Sequence, residues 1–98
     1  MKIRLTSLFE FDVIQAFGTE EVKLEVESTT LKEFLQELSR KTGGAIEFID
    51  PQGTKFIGDY FVQVNGTDFD QLPQGLKTEL KDGDEVGLGW VDTVFSGG

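Results

Sequence analysis

The chain has 98 residues, 38% of them hydrophobic, with nine phenylalanines, two prolines and a formal charge of −9. Those values describe one folded domain with a modest core rather than a disordered chain or a two-domain protein. The acidic balance argues against nucleic acid and anionic membranes as partners and suits docking on a basic protein surface.

Taken in order, Ile3, Leu5, Ser7 and Phe9 alternate with Lys2, Arg4, Thr6 and Leu8, which predicts an opening strand with one apolar face. The stretch from Glu10 to Gly18 is mixed, and Gly18-Thr19 closes it as a turn. Val22, Leu24 and Val26 then alternate strictly with Lys23, Glu25 and Glu27, the cleanest half-buried strand pattern in the chain. Two such strands joined by a loop of this length predict an antiparallel, hairpin-like pair.

Ser28-Thr29-Thr30 breaks the alternation and opens a helix from about Leu31 to Thr42. Thr30 and Glu33 have capping-box spacing, which would satisfy two orphan N–H groups. Leu31, Phe34, Leu35 and Leu38 fall on one stripe, and Glu37 and Lys41 stand at i, i+4. Gly43 is placed as the left-handed cap. Beyond it, Ile46, Phe48 and Ile49 are apolar, and Asp50-Pro51-Gln52-Gly53 is a turn signature. Tyr60, Val62 and Val64 predict a third strand that turns at Asn65-Gly66, with Thr67 to Phe69 beginning the return. Leu76 and Leu80 are assigned to the core, Lys81-Asp82-Gly83-Asp84 to a tight turn, and Glu85-Val86 with Leu88 and Trp90 to the last strand. Gly87 and Gly89 take its alternate face and suggest close approach of another backbone. The sum is an α+β roll, a mixed sheet crossed by one main helix at about 31–42. Residues 1–94 form the domain, and 95–98 a flexible Gly-Gly tail.

Cys and His are both absent. Without them the chain has no thiol nucleophile, imidazole base, disulfide or soft metal ligand. With no spanning segment and no secretion leader, a reducing, cytoplasmic location is expected. Asp82, Asp84 and Glu85 form a dense carboxylate cluster, but their spacing does not fit a calcium loop, and a solvated turn is expected there. Asn65-Gly66-Thr67 reads as a hairpin turn before it reads as a glycosylation sequon. Gly87-Leu88-Gly89-Trp90 lacks the third glycine of a dinucleotide fingerprint, and Gly53-Thr54-Lys55 lacks the P-loop arrangement. Most of the phenylalanines fall on core phases. No enzyme active site emerges, and neither a metal nor a bound cofactor is expected. What remains is the close of the sequence, Phe95-Ser96-Gly97-Gly98. Glycine without a Cβ can thread a narrow channel and bring a terminal carboxylate to a partner's active site.

An opening strand with Leu8-Phe9, the capped Thr30-Leu31-Lys32-Glu33-Phe34-Leu35, and Val62-Gln63-Val64-Asn65-Gly66 recur in one family order with Leu80-Lys81-Asp82-Gly83-Asp84-Glu85-Val86 and a closing Gly97-Gly98. In that order the chain resembles the ubiquitin-like sulfur carriers, above all the small subunit of molybdopterin synthase, with the thiazole-synthesis carrier as a sister. The resemblance implies a β-grasp fold and a non-catalytic carrier. Gly98 would be adenylated by an E1-like enzyme that uses ATP, converted to a thiocarboxylate by a sulfur donor protein, and threaded into the synthase large subunit to deliver sulfur to a pterin precursor. Phe95, Ser96, Gly97 and Gly98 would be the partner-binding residues. Many such small subunits carry a Pro-Pro pair before the tail, where this chain has Val91-Asp92-Thr93-Val94-Phe95-Ser96. The acceptor therefore stays open among a molybdenum or tungsten pterin, thiazole or another product, and a protein lysine, the last making the chain a ubiquitin-like modifier.

Overall fold

A computed structural model describes residues 1–8, 11–44, 46–50 and 60–90. The opening alternation forms β1 (Lys2–Leu8), with Ile3 and Leu5 buried and Lys2 and Arg4 facing solvent. Asp12 then caps a short helix, α1 (Val13–Phe17), by accepting hydrogen bonds from the Ile14 and Gln15 N–H groups, and Gly18 closes it at φ 77°. β2 (Glu21–Lys23) returns antiparallel along β1, with Val22 opposite Ile3. The alternation through Val26 predicted a longer strand. It stops early because β1 runs out: Leu24 already exchanges hydrogen bonds with Met1, and Val26 is left 50% exposed.

Ser28-Thr29-Thr30 was expected only as a break, yet it forms a short strand, β3 (Ser28–Thr30), before the main helix α2 (Leu31–Lys41). The helix ends one residue before the predicted Thr42, which serves as its C-cap. Its stripe of Leu31, Phe34, Leu35 and Leu38 is buried as predicted. At the N-terminus the Thr30 hydroxyl accepts the Glu33 N–H at 3.2 Å and donates to the Glu33 carboxylate at 3.1 Å. The carboxylate is thus held by the hydroxyl and not by a backbone N–H, half of the expected box. Gly43 and Gly44 follow at φ 67° and 87°, returning their N–H groups to the Arg40 and Ser39 carbonyls. The expected Glu37–Lys41 pair gives way to Glu37–Arg40.

β4 (Tyr60–Val64) and β5 (Thr67–Asp68) make the predicted hairpin across Asn65-Gly66. Two 3-10 turns, Phe69–Gln71 and Gly75–Lys77, lead to β6 (Glu79–Lys81), and the described chain closes on β7 (Glu85–Trp90). The main sheet has the order β2-β1-β7-β4-β5, with β7 parallel to β1 and antiparallel to β4. β3 and β6 pair separately as a two-stranded sheet.

One face of the main sheet carries Ile3, Leu5, Val22, Val62, Val64, Val86 and Leu88, all buried in one cluster with the stripe of α2. Phe48 and Leu80, both fully buried, close that core. At its edge the Tyr60 ring lies 4.8 Å from Phe48 and edge-on to Phe11 at 6.3 Å. Phe11, Phe34 and Phe48 are core residues as expected, whereas Phe61 is 42% exposed. The fold is the expected mixed sheet with one main helix. The Asp50-Pro51-Gln52-Gly53 turn beyond Asp50, and the proposed boundary between 94 and 95, lie outside the described residues.

Candidate functional site

The turn between β6 and β7 is built from its own sequence. Gly83 sits at φ 89°, a conformation that favours glycine. On either side of it the two aspartates spend their oxygens on backbone: Asp82 accepts the Lys2 N–H at 2.7 Å, and Asp84 accepts the Lys81 N–H at 2.8 Å. The turn's main chain adds Gly83 N–H to the Lys2 carbonyl at 2.9 Å and receives the Arg4 N–H on the Asp84 carbonyl at 3.0 Å. Charge-assisted bonds of this kind are stronger than neutral ones. The expectation of a merely solvated turn is therefore too weak: this turn fastens the last strand to the first.

Asn65 joins the same lock from the other side. It holds φ 52°, and its side-chain carbonyl accepts the Glu85 N–H at 2.9 Å while its amide donates to Asp84 at 3.2 Å. Its backbone N–H also reaches the Glu85 carbonyl at 2.8 Å. Asn65-Gly66 and Lys81-Asp82-Gly83-Asp84-Glu85 are two motifs in sequence and one structural unit in space. Together they fix where β7 enters the sheet.

The exit of β7 is set by its neighbours. Leu8 and Phe61 both stand opposite Gly89, on the two flanking strands, and Thr6 and Gln63 stand opposite Gly87. By alternation these residues occupy the face of the sheet turned away from α2. The close approach expected at Gly87 exists, but the visitor is a side chain: a Cβ there would lie 3.0 Å from the Leu8 Cδ1. The outer face is thus a glycine floor between Leu8 and Phe61. The sequence reading assigned Phe61 no role. The signal was its odd phase between Tyr60 and Val62, which puts a large aromatic on the solvent side.

Phe95, Ser96, Gly97 and Gly98, the predicted site, lie outside the described residues, as do Val91 to Val94. What the structure places is the strand that leads to them, central in the sheet. Among the described residues no group of three or more Asp or Glu is arranged to hold a metal ion, and no helix is long and apolar enough to cross a membrane.

A mixed five-stranded sheet with parallel first and last strands at its centre, crossed on one face by a single main helix, is a ubiquitin-like β-grasp. Solved structures share it. The HVO 2177 protein of Haloferax volcanii superimposes with a TM-score of 0.67 at 23% identity, covering 92% of this chain and 82% of that one. The small archaeal modifier protein 1 of Methanosarcina acetivorans gives 0.63 at 24% identity, covering 94% of each chain. A Pyrococcus furiosus protein assigned as molybdopterin converting factor, subunit 1, gives 0.60 at 22% identity, covering 91% of this chain and 95% of that one. No match was found among curated proteins. The chain belongs to the ThiS family, whose model matches residues 9–88. The kinship with ubiquitin-like sulfur carriers expected from the sequence is shown at the level of the family.

Proposed function

We propose that this chain is a sulfur carrier of the molybdopterin-synthase small-subunit type, acting through the carboxylate of Gly98. The observation that carries the reading is membership of the ThiS family across residues 9–88, joined to a sequence that closes on Gly97-Gly98. The chemistry is consistent with the residues at hand. A carboxylate oxygen of Gly98 attacks the α-phosphorus of ATP on an E1-like enzyme, pyrophosphate leaves, and the acyl group gains AMP as a leaving group. A donor protein's persulfide then attacks the acyl carbon and expels AMP, and a thiol cleaves the S–S bond of the acyl disulfide, leaving a thiocarboxylate on Gly98 and a disulfide on the donor side. Inside the large subunit that sulfur passes to a pterin precursor. The partners supply the catalytic side chains, which suits a chain without His or Cys. ATP is the adenylating enzyme's substrate, and the carrier itself holds no cofactor.

Resemblance to the P. furiosus molybdopterin converting factor subunit supports the pterin as acceptor, and the missing Pro-Pro pair leaves thiazole and other products as the competing choices. Resemblance to the small archaeal modifier protein 1 of M. acetivorans favours a second reading, conjugation of Gly98 to a lysine. Intact-mass analysis of the protein from its native cells tests both. A form with one sulfur in place of one oxygen is expected for the carrier. Only lysine-linked conjugates, with no such form, would overturn the carrier reading in favour of the modifier.

A further inference from the structure

On the helix side of the molecule, a groove of about 360 Å³ runs between the segment after β2 and α2. Its floor is apolar: Phe34 is buried, Leu24 half-buried, and Val26 is 50% exposed. Half-exposed valine on a bend, beside a buried aromatic, is apolar surface that the fold has left uncovered. Its rim carries the carboxylates of Glu25, Glu33 and Glu37 against one cation, Arg40, which is already paired with Glu37.

The groove adjoins an open strand edge. β2 is the outermost strand of the five-stranded sheet. Its bonds to β1 come from Glu20, which accepts the Leu5 N–H at 2.7 Å, from Val22 opposite Ile3, and from Leu24, which donates to Met1 at 2.8 Å. In an antiparallel ladder the residue between two such pairs turns its N–H and C=O the other way. That residue is Lys23, the last of β2, and the bend of Glu25–Glu27 follows it toward α2. Glu21 is also in that phase, but its backbone is occupied by the Thr19 hydroxyl at 2.9 and 3.1 Å. The usable edge therefore begins at Lys23 and runs toward the groove.

We propose that this groove docks an extended, Lys/Arg-bearing segment of a partner protein. The segment pairs with the β2 edge at Lys23, follows the bend that begins at Glu25, and seats an apolar side chain between Val26 and Phe34. Main-chain bonds to the edge give affinity, and the alternate side chains read the floor and the rim. Charge selects the occupant. A second copy of this chain would bring a net −9 and the same three carboxylates to the groove, so like charges would meet. A cationic segment meets three carboxylates, and the rim's Arg40 is already paired with Glu37. The site is also remote from the exit of β7: β2 pairs with Lys2–Arg4, whereas Gly89 stands opposite Leu8. At ~3.3 Å per residue the two ends of β1 are separated by roughly 20 Å. A partner held in the groove leaves the sequence beyond Trp90 open to a second protein.

The test is an NMR titration of the ¹⁵N-labelled protein with a synthetic peptide of alternating Lys and Val. Beside it run the same peptide N-methylated at alternate residues and a Glu/Val peptide. Saturable shifts confined to Lys23–Val26 and Glu33–Glu37 are expected from the first peptide alone. Val26→Lys should fold with an unchanged melting temperature, since half of Val26 is already in solvent, and should bind the peptide at least tenfold more weakly. Equal binding by the N-methylated peptide, shifts centred on Asp82–Glu85 or on Phe61, or no shift at millimolar peptide would each overturn the proposal. None of these outcomes depends on Gly98, so the carrier reading stands or falls separately.

Discussion

Asn65 carries more of this structure than its place in a two-residue turn requires. Any L-residue at φ 52° is strained, and asparagine is among those that tolerate it best. Asn65→Ala would keep the strain and strip both side-chain hydrogen bonds, leaving the Glu85 N–H without its acceptor. A loss of ~1–3 kcal/mol in urea unfolding is expected. Asn65→Gly relieves the backbone but not the bonds, so it should fall between the two. If glycine matches the native residue, the strain it relieves equals what the bridge to Asp84 and Glu85 contributes. At Gly97, in the site proposed above, the expectation reverses. Gly97→Val should leave the melting temperature unchanged yet block adenylation, because a β-branched side chain widens the thread. Pyrophosphate exchange with the cognate adenylating enzyme, run beside a melting curve, separates the two effects. If a partner takes up residues 95–98 as proposed, fixing four residues costs ~4–8 kcal/mol of backbone entropy, so close main-chain bonds would be needed there, where an added side chain would clash.

Among the elements, α2 is the one whose failure the fold would feel most. Leu35 is fully buried at the centre of its stripe, and Leu35→Ala should cost ~2–5 kcal/mol in the same unfolding experiment. A cost near zero would mean that the core collapses around the cavity. The helix was legible because four apolar residues at helical spacing stand between a Thr cap and two glycines, and each signal agrees with the others. The Asn65-Gly66 hairpin was legible for the same reason. β3 and β6 were not: Ser28-Thr29-Thr30 has no apolar residue, and Glu79-Leu80-Lys81 has a single one. Three residues give too little alternation to read, and their pairing is a tertiary fact. α1 escaped because five residues are barely one turn, and its one clear mark is Asp12. β2 was overread, since Leu24 and Val26 kept the period while the partner strand had ended. Of the candidate site, the motif Lys81-Asp82-Gly83-Asp84-Glu85 was visible, but its hydrogen bonds to β1 and Asn65 span too much sequence to be inferred from it.

At the scale of the molecule, the excess of carboxylates should govern encounter. If the carrier meets a basic adenylating enzyme or large subunit, its association rate should fall as salt rises, the contacts being screened over about 8–10 Å at physiological ionic strength. Stopped-flow binding across a salt series measures this. A rate indifferent to salt would leave recognition to the outer sheet face around Phe61 and Leu8. Deleting Gly97 and Gly98 should abolish pyrophosphate exchange with little change in melting temperature, and full exchange by the shortened chain would refute the role of Gly98.

The last strand fills the middle of the sheet. β7 lies between β1 and β4, so each of them has only its outer partner, β2 or β5, until residues 85–90 arrive. During synthesis on a ribosome, the first eighty or so residues can form the β1–β2 pair, α2 and the β4–β5 hairpin, all local, but the parallel side of β1 waits for residues 85–90. Contacts between the two ends of a chain are the slow ones to form. The main sheet is therefore complete only after that long-range closure. On the carrier reading proposed above, an enzyme that took Gly98 only from a folded body would reject unfinished and misfolded chains, and ATP would be spent on carriers that have completed folding.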